Sequence, residues 1–127
     1  SICVVREHWS DFDYFFIHVK KTDAAGEDGD FSRKVAAIEE VDTALPDLLA
    51  LKPDVIAVTG DHSTPATLKS HSWHPVPFVI SSRWCRPSRV SKFGETACAS
   101  GNLGIIRGLD IMPLLMAHGL RFTKYGA

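Results

Sequence analysis

The chain has 127 residues, enough for one ordinary domain with a hydrophobic core. Apolar residues make up 45% of it, a globular composition, and no apolar run nears the roughly 20 residues that span a bilayer. With 14 basic against 15 acidic residues and a net charge of −1, it offers no basic stripe for nucleic acid and no polybasic patch for a membrane surface.

The opening Ser1-Ile2-Cys3-Val4-Val5-Arg6 lacks both Met and a basic leader. A signal peptide is therefore not expected, and a piece of a longer protein is one reading of such a start. Cys3, Cys85 and Cys98 are odd in number, have no paired spacing and stand beside no obvious activating partner. Free packing thiols and a cytoplasmic location are expected.

Ile2 to Val5 suits a short strand or the tail of a helix. Asp13-Tyr14-Phe15-Phe16-Ile17-His18-Val19 is continuous in apolar and aromatic residues and is predicted to be a doubly covered strand, with His18 in or half in the core. The stretch from Lys20 to Asp30, with two glycines and four acidic residues, is predicted to be an anionic loop. Asp30 is placed to N-cap a helix. Phe31, Val35, Ile38, Val41 and Leu45 form its apolar face, with Arg33, Lys34, Glu39 and Glu40 on the other. Pro46 should end or kink it, leaving a further turn or two before Pro53.

Asp54-Val55-Ile56-Ala57-Val58 is a buried strand candidate, so residues 13–59 read as a right-handed βαβ unit. Thr59-Gly60-Asp61-His62-Ser63-Thr64-Pro65 follows it. Gly60 allows a sharp turn, and Asp61 and His62 emerge where α/β sheets place ligands. An adjacent Asp-His pair is either a solvated turn or two metal ligands. Val76-Pro77-Phe78-Val79-Ile80 reads as a third strand at an edge, and residues 81–104 as an extended loop. Asp110 can cap a last helix, Ile111 to His118, with Pro113 in its first turn and Gly119 at its C′ position.

Strands of a parallel-type sheet deliver their following loops to one edge, where Asp23, Asp61, His62 and His71 can meet. Carboxylates and imidazoles together suit divalent ions such as Zn²⁺ and Mn²⁺. Glu27, four residues after Asp23, can reach the same ion. His8 and His118 read as surface residues, and His74 as a solvated loop residue or a substrate contact. Arg83, Arg86 and Arg89 have the geometry to grip phosphate but read mainly as surface charge. Trp73 and Trp84 are expected to pack.

Three blocks carry a resemblance. They are His18-Val19-Lys20 with Thr22-Asp23; Gly29-Asp30-Phe31 with Lys34-Val35 and Ile38-Glu39; and Thr59 to Pro65. His71-Ser72, Pro75-Val76-Pro77, Gly104 to Pro113 and the closing Lys124-Tyr125-Gly126-Ala127 extend it. The chain resembles archaeal-type cofactor-independent phosphoglycerate mutases, of the alkaline phosphatase superfamily, in their C-terminal part.

The resemblance implies an α/β, alkaline-phosphatase-like three-layer core, present in part, with a mostly parallel sheet flanked by helices. It also implies two divalent metal ions, Mn²⁺ foremost, with Mg²⁺, Co²⁺ or Zn²⁺ as alternatives. One ion falls to Asp23, position 27 and His71. The other falls to Asp61 and His62 together with an Asp and a nucleophilic Ser from a part with no counterpart here. That Ser would pass a phosphoryl group between the hydroxyls of phosphoglycerate. Position 27 departs from the family, with Glu in place of His, which means either a site of shifted metal preference or a damaged one. No Ser in the chain matches the nucleophile, and the inserted substrate-binding domain has no counterpart, so the chain alone is expected to be inactive. Pairing with the missing half, or self-association, is expected. Two other readings are a related phosphatase or phosphomutase, including proteins labelled phosphonopyruvate decarboxylase, and a degenerate metal-binding module without catalysis.

Overall fold

The computed structural model describes residues 2–123. Its elements are α1 (Ile2–Glu7), α2 (Lys21–Glu27), α3 (Phe31–Leu49), β1 (Val55–Thr59), β2 (Phe78–Ser82), α4 (Glu95–Cys98), a 3₁₀ turn (Gly108–Asp110) and α5 (Ile111–His118). They fall into two compact units. One holds the chain up to Pro53 together with Thr64–Ser72; the other holds Asp54–Ser63 and the chain from Trp73 onward. The closing Lys124-Tyr125-Gly126-Ala127 motif lies outside the described residues. Among the described residues no helix is long and apolar enough to cross a membrane.

In the first unit, α2 and α3 are joined by a tight corner. The amide of Asp30 donates to the carbonyl of Ala25 (2.9 Å) and that of Gly29 to Gly26 (3.0 Å), with Gly29 at φ 73°. This is the hydrogen-bond pattern of a Schellman ending, and it requires a left-handed residue that glycine supplies without strain. Asp30 then caps α3 as expected, its Oδ1 accepting from the amide of Arg33 at 2.9 Å.

Several expectations need correction here. Residues 20–30 are not a loop: α2 occupies most of them. Residues 13–19 form no strand, so the βαβ unit is not formed. Their burial still alternates, with Phe15, Ile17 and Val19 half-buried and Tyr14, Phe16 and His18 exposed. His18 is therefore a surface residue. A strand exists only through backbone pairing, which an apolar pattern alone cannot supply. Helix α3 runs through Pro46 to Leu49 without a break. The proline removes one amide near the helix end, where few later bonds depend on it. Of the expected apolar face of α3, Val35, Val41 and Leu45 are half-buried, joined by Lys34, Ala37, Ala44 and Leu48, while Phe31 and Ile38 are exposed.

In the second unit, β1 and β2 pair antiparallel, in register from Val55 opposite Ser82 to Thr59 opposite Phe78. These are the two strands among the described residues, so a mostly parallel sheet is not seen in them. Helix α5 begins and ends where the sequence places it and turns Ile111, Leu114, Leu115 and His118 inward. Asp110 does not cap it with its side chain. Its carboxylate reaches back to the guanidinium of Arg107 (Nη2 to Oδ1, 2.9 Å) and to the Arg107 amide (3.2 Å). The Arg107 side chain first, and its amide second, hold the Asp110 carboxyl below the usual carboxylate range. Gly119 is not left-handed; Leu120, at φ 54°, takes that role.

Candidate metal centre

Helix α2 is what the first unit's site is built on. One helical turn separates Asp23 from Glu27, so both carboxylates lie on the same side of α2. Asp23 is only 8% exposed, and a carboxylate so buried needs partners. It has them: Thr64 Oγ1 donates to its Oδ1 at 2.7 Å, and Lys20 Nζ pairs with its Oδ2. His71 approaches from the Thr64–Ser72 segment, with Nε2 at 3.4 Å from Asp23 Oδ1 and 3.5 Å from Glu27 Oε1.

That segment can lie so close because Gly26 carries no side chain. A Cβ at Gly26 would overlap the Thr64 carbonyl oxygen, which also accepts a hydrogen bond from Lys34 Nζ. A glycine in a helix interior costs about 1 kcal/mol against alanine and less near the end, where Gly26 lies, and the close backbone approach is its structural reason.

Ligand atoms each about 2.0–2.2 Å from one ion lie about 3.0–3.6 Å from one another. The spacing from His71 Nε2 to Asp23 and Glu27 fits, and two carboxylates with one imidazole form a donor set suited to a divalent ion. In the second unit, Asp61 and His62 follow the end of β1. Asp61 Oδ1 accepts from the His62 amide (3.1 Å), and Asp61 Oδ2 lies 3.5 Å from His62 Nε2. Space is tight at Gly60 between strand and pair: a Cβ there would lie 3.3 Å from Val76 Cγ1.

Asp23, Glu27 and His71 thus come together in the first unit, and Asp61 and His62 in the second. Other positions differ from expectation. Trp73 and Trp84 are exposed: Trp73 stacks on His74, with centroids 5.0 Å apart, and Arg83 lies over Trp84 at 5.2 Å. Cys3 is exposed rather than packed. His118 is half-buried, with Nδ1 at 3.1 Å from Ser82 Oγ and 3.6 Å from Cys85 Sγ. Cys85 therefore does have an imidazole neighbour, from a residue 33 positions away that no local pattern reveals. Thr64 and Lys34 are the other residues sequence reading missed. The one available signal was Gly26, a helix-breaking residue inside an otherwise helix-compatible stretch.

A family profile described as the metalloenzyme superfamily matches residues 3–118. The chain belongs to the metalloenzyme superfamily. Membership of this superfamily, with carboxylate and imidazole donors clustered as above, supports a bound divalent ion. A relative from Thermotoga neapolitana, named "Probable 2,3-bisphosphoglycerate-independent phosphoglycerate mutase", is 55% identical over all 127 residues, which match 32% of its length. A relative of the same name from Deinococcus radiodurans is 56% identical over 127 residues and 31% of its length. The solved structure of the PH0037 protein from Pyrococcus horikoshii superposes with a TM-score of 0.92, at 40% identity, over 99% of this chain and 39% of that one. This metalloenzyme-superfamily chain spans about a third of the length of the curated relatives it matches. The resemblance read from Thr59 to Pro65 and its flanking motifs extends along the whole chain.

Proposed function

We propose that the chain is the C-terminal part of a metal-dependent phosphoglycerate mutase that interconverts 3-phosphoglycerate and 2-phosphoglycerate through a phosphoserine. Its likeness, along its full length, to proteins named as such mutases carries this reading. In it, both units belong to one phosphatase-like α/β domain. The nucleophilic Ser, the remaining sheet strands and the substrate-binding insertion come from the part of the relatives this chain does not match.

Asp23, Glu27 and His71 hold one divalent ion, and Asp61 and His62 contribute to a second, with Mn²⁺ the preferred metal. When bound, such ions lower the pKa of a coordinated hydroxyl and offset charge on attacking and leaving oxygens. The chain's own contribution is placement. Asp23 is buried and held at both oxygens. His71 and Glu27 are both about half-exposed, so this cluster is accessible from solvent.

The test is a segment exchange. This chain replaces the matching third of the Thermotoga neapolitana relative, and 2-phosphoglycerate formation from 3-phosphoglycerate is followed by ³¹P NMR with Mn²⁺ present. Conversion is expected, and Asp61→Ala in the exchange protein should lower its rate about a hundredfold or more. A folded exchange protein that only hydrolyses phosphate esters would replace this reading with a related phosphatase. One with no phosphoryl chemistry would leave a non-catalytic metal-binding module.

A further inference from the structure

Resting on the reading of Asp23 as a metal ligand, we propose that Thr64 is the positioning residue for its carboxylate. Thr64 is 4% exposed, and its hydroxyl donates to Asp23 Oδ1 across 2.7 Å. That same oxygen is the one 3.4 Å from His71 Nε2. The hydroxyl holds Oδ1, the oxygen nearest the imidazole, in one orientation. Lys20 engages Oδ2, so rotation of the carboxylate about its last bond is opposed at both oxygens.

A positioning group must itself be fixed, and Thr64 is. Lys34 Nζ donates to its carbonyl, and α2 comes within contact of that carbonyl at Gly26, where any larger residue would overlap it. Further along the same segment, the amides of Leu68 and Lys69 both turn back to the Pro65 carbonyl, at 3.0 and 3.1 Å. The Lys69 side chain covers Gly29 at the end of α2. The segment that delivers His71 is therefore docked on α2 near both of its ends. One short stretch supplies a donor to the first carboxylate and the imidazole beside it. Partners that orient a ligating carboxylate hold it in one geometry and keep its charge available, and losing one weakens metal binding without removing a ligand.

A purely structural Thr64, satisfying its own hydroxyl in a buried place, predicts no change in metal affinity once the chain is folded. The experiment measures Mn²⁺ affinity by electron paramagnetic resonance on the full 127-residue chain, with a circular dichroism melt for each variant. Thr64→Val keeps the shape and removes the donor. Affinity should fall about 10–100-fold. Thr64→Ser restores the donor and should bind close to wild type. Thr64→Ala replaces Thr64→Val if the valine variant does not fold. Asp23→Ala is the control on the underlying reading and should lose most binding. If it binds Mn²⁺ like wild type, Asp23 is not a ligand and both ideas fall. If Asp23→Ala loses binding but folded Thr64→Val keeps it, or Thr64→Ser binds as weakly as Thr64→Val, the positioning role alone is overturned.

Discussion

Glu27 stands where the sequence resemblance implies a His, and its position makes that reading testable. Its carboxylate lies 3.5 Å from His71 Nε2, near enough to share an ion with it. A carboxylate in place of an imidazole adds charge and a harder donor, which favours Mn²⁺ or Mg²⁺ over Zn²⁺. Glu27→His should raise Zn²⁺ affinity relative to Mn²⁺ by about tenfold or more, with the fold unchanged. Competitive metal titration decides it, and an unchanged preference removes Glu27 from the ligand set. At this scale the sequence was informative about acidic and imidazole groups and blind to what fixes them. Asp23, Glu27 and His71 were legible as candidates because metal-competent chemistry belongs to residue types, and the structure brings the three side chains together. Thr64 was not, because its hydroxyl acquires its role from Asp23, 41 residues away, and its carbonyl from Lys34, 30 residues away.

Two helices in this chain end with the same hydrogen-bond pattern and different residues at the critical position. After α2 the left-handed residue is Gly29; after α5 it is Leu120, where the Arg121 amide donates to Met116 (2.8 Å) and that of Leu120 to Ala117 (3.1 Å). A side chain in that conformation costs about 1–2 kcal/mol, and Leu120 is 65% exposed, so it gains little apolar contact in return. Leu120→Gly should stabilise the unit around α5 by about 1 kcal/mol. The denaturation midpoint should rise with the m-value unchanged; a lower midpoint would show that the leucine's contacts outweigh its strain. The elements legible in sequence were those with local signals. Helix α5 has an early proline and a glycine just past its end, and α3 has its Asp30 cap. Helix α2 was hidden because Gly26 looks like a breaker until the Thr64 carbonyl is seen against it. Residues 13–19 were overread because a continuous apolar and aromatic run suits a strand, while a strand also needs a neighbour.

Across the described residues, the buried apolar side chains are Val5, Ala25 and Ala37, all small or medium in size. Phe16, Phe31, Trp73, Ile105 and Leu109 are among the large apolar residues left mostly exposed. Single exposed apolar residues are ordinary, but this many in a chain with so small a buried set leaves much apolar surface to be covered. The chain on its own should therefore self-associate or bind a hydrophobic dye strongly. Sedimentation analysis with dye titration checks this, and a monodisperse monomer with a sharp unfolding transition would mean these surfaces are tolerated in isolation. The apolar content that suggested a full core was legible as composition. Composition says nothing of which surfaces meet, so the thinness of the core was not.

The first unit is not a continuous stretch of chain: it stops at Pro53, and Thr64–Ser72 returns to it after Asp54–Ser63 has served the other. During synthesis, α2 therefore leaves the ribosome long before the segment that completes it. At about 5–20 residues per second, the 48 positions from Asp23 to His71 take about 2–10 s to make. Over that interval the two carboxylates of α2 have neither the Thr64 hydroxyl nor the imidazole beside them, and any cation they meet is held by a helix alone. On the proposed reading of these side chains as ligands, selection of the ion is a late event in the life of the chain, set when the Thr64–Ser72 segment docks and not when α2 forms.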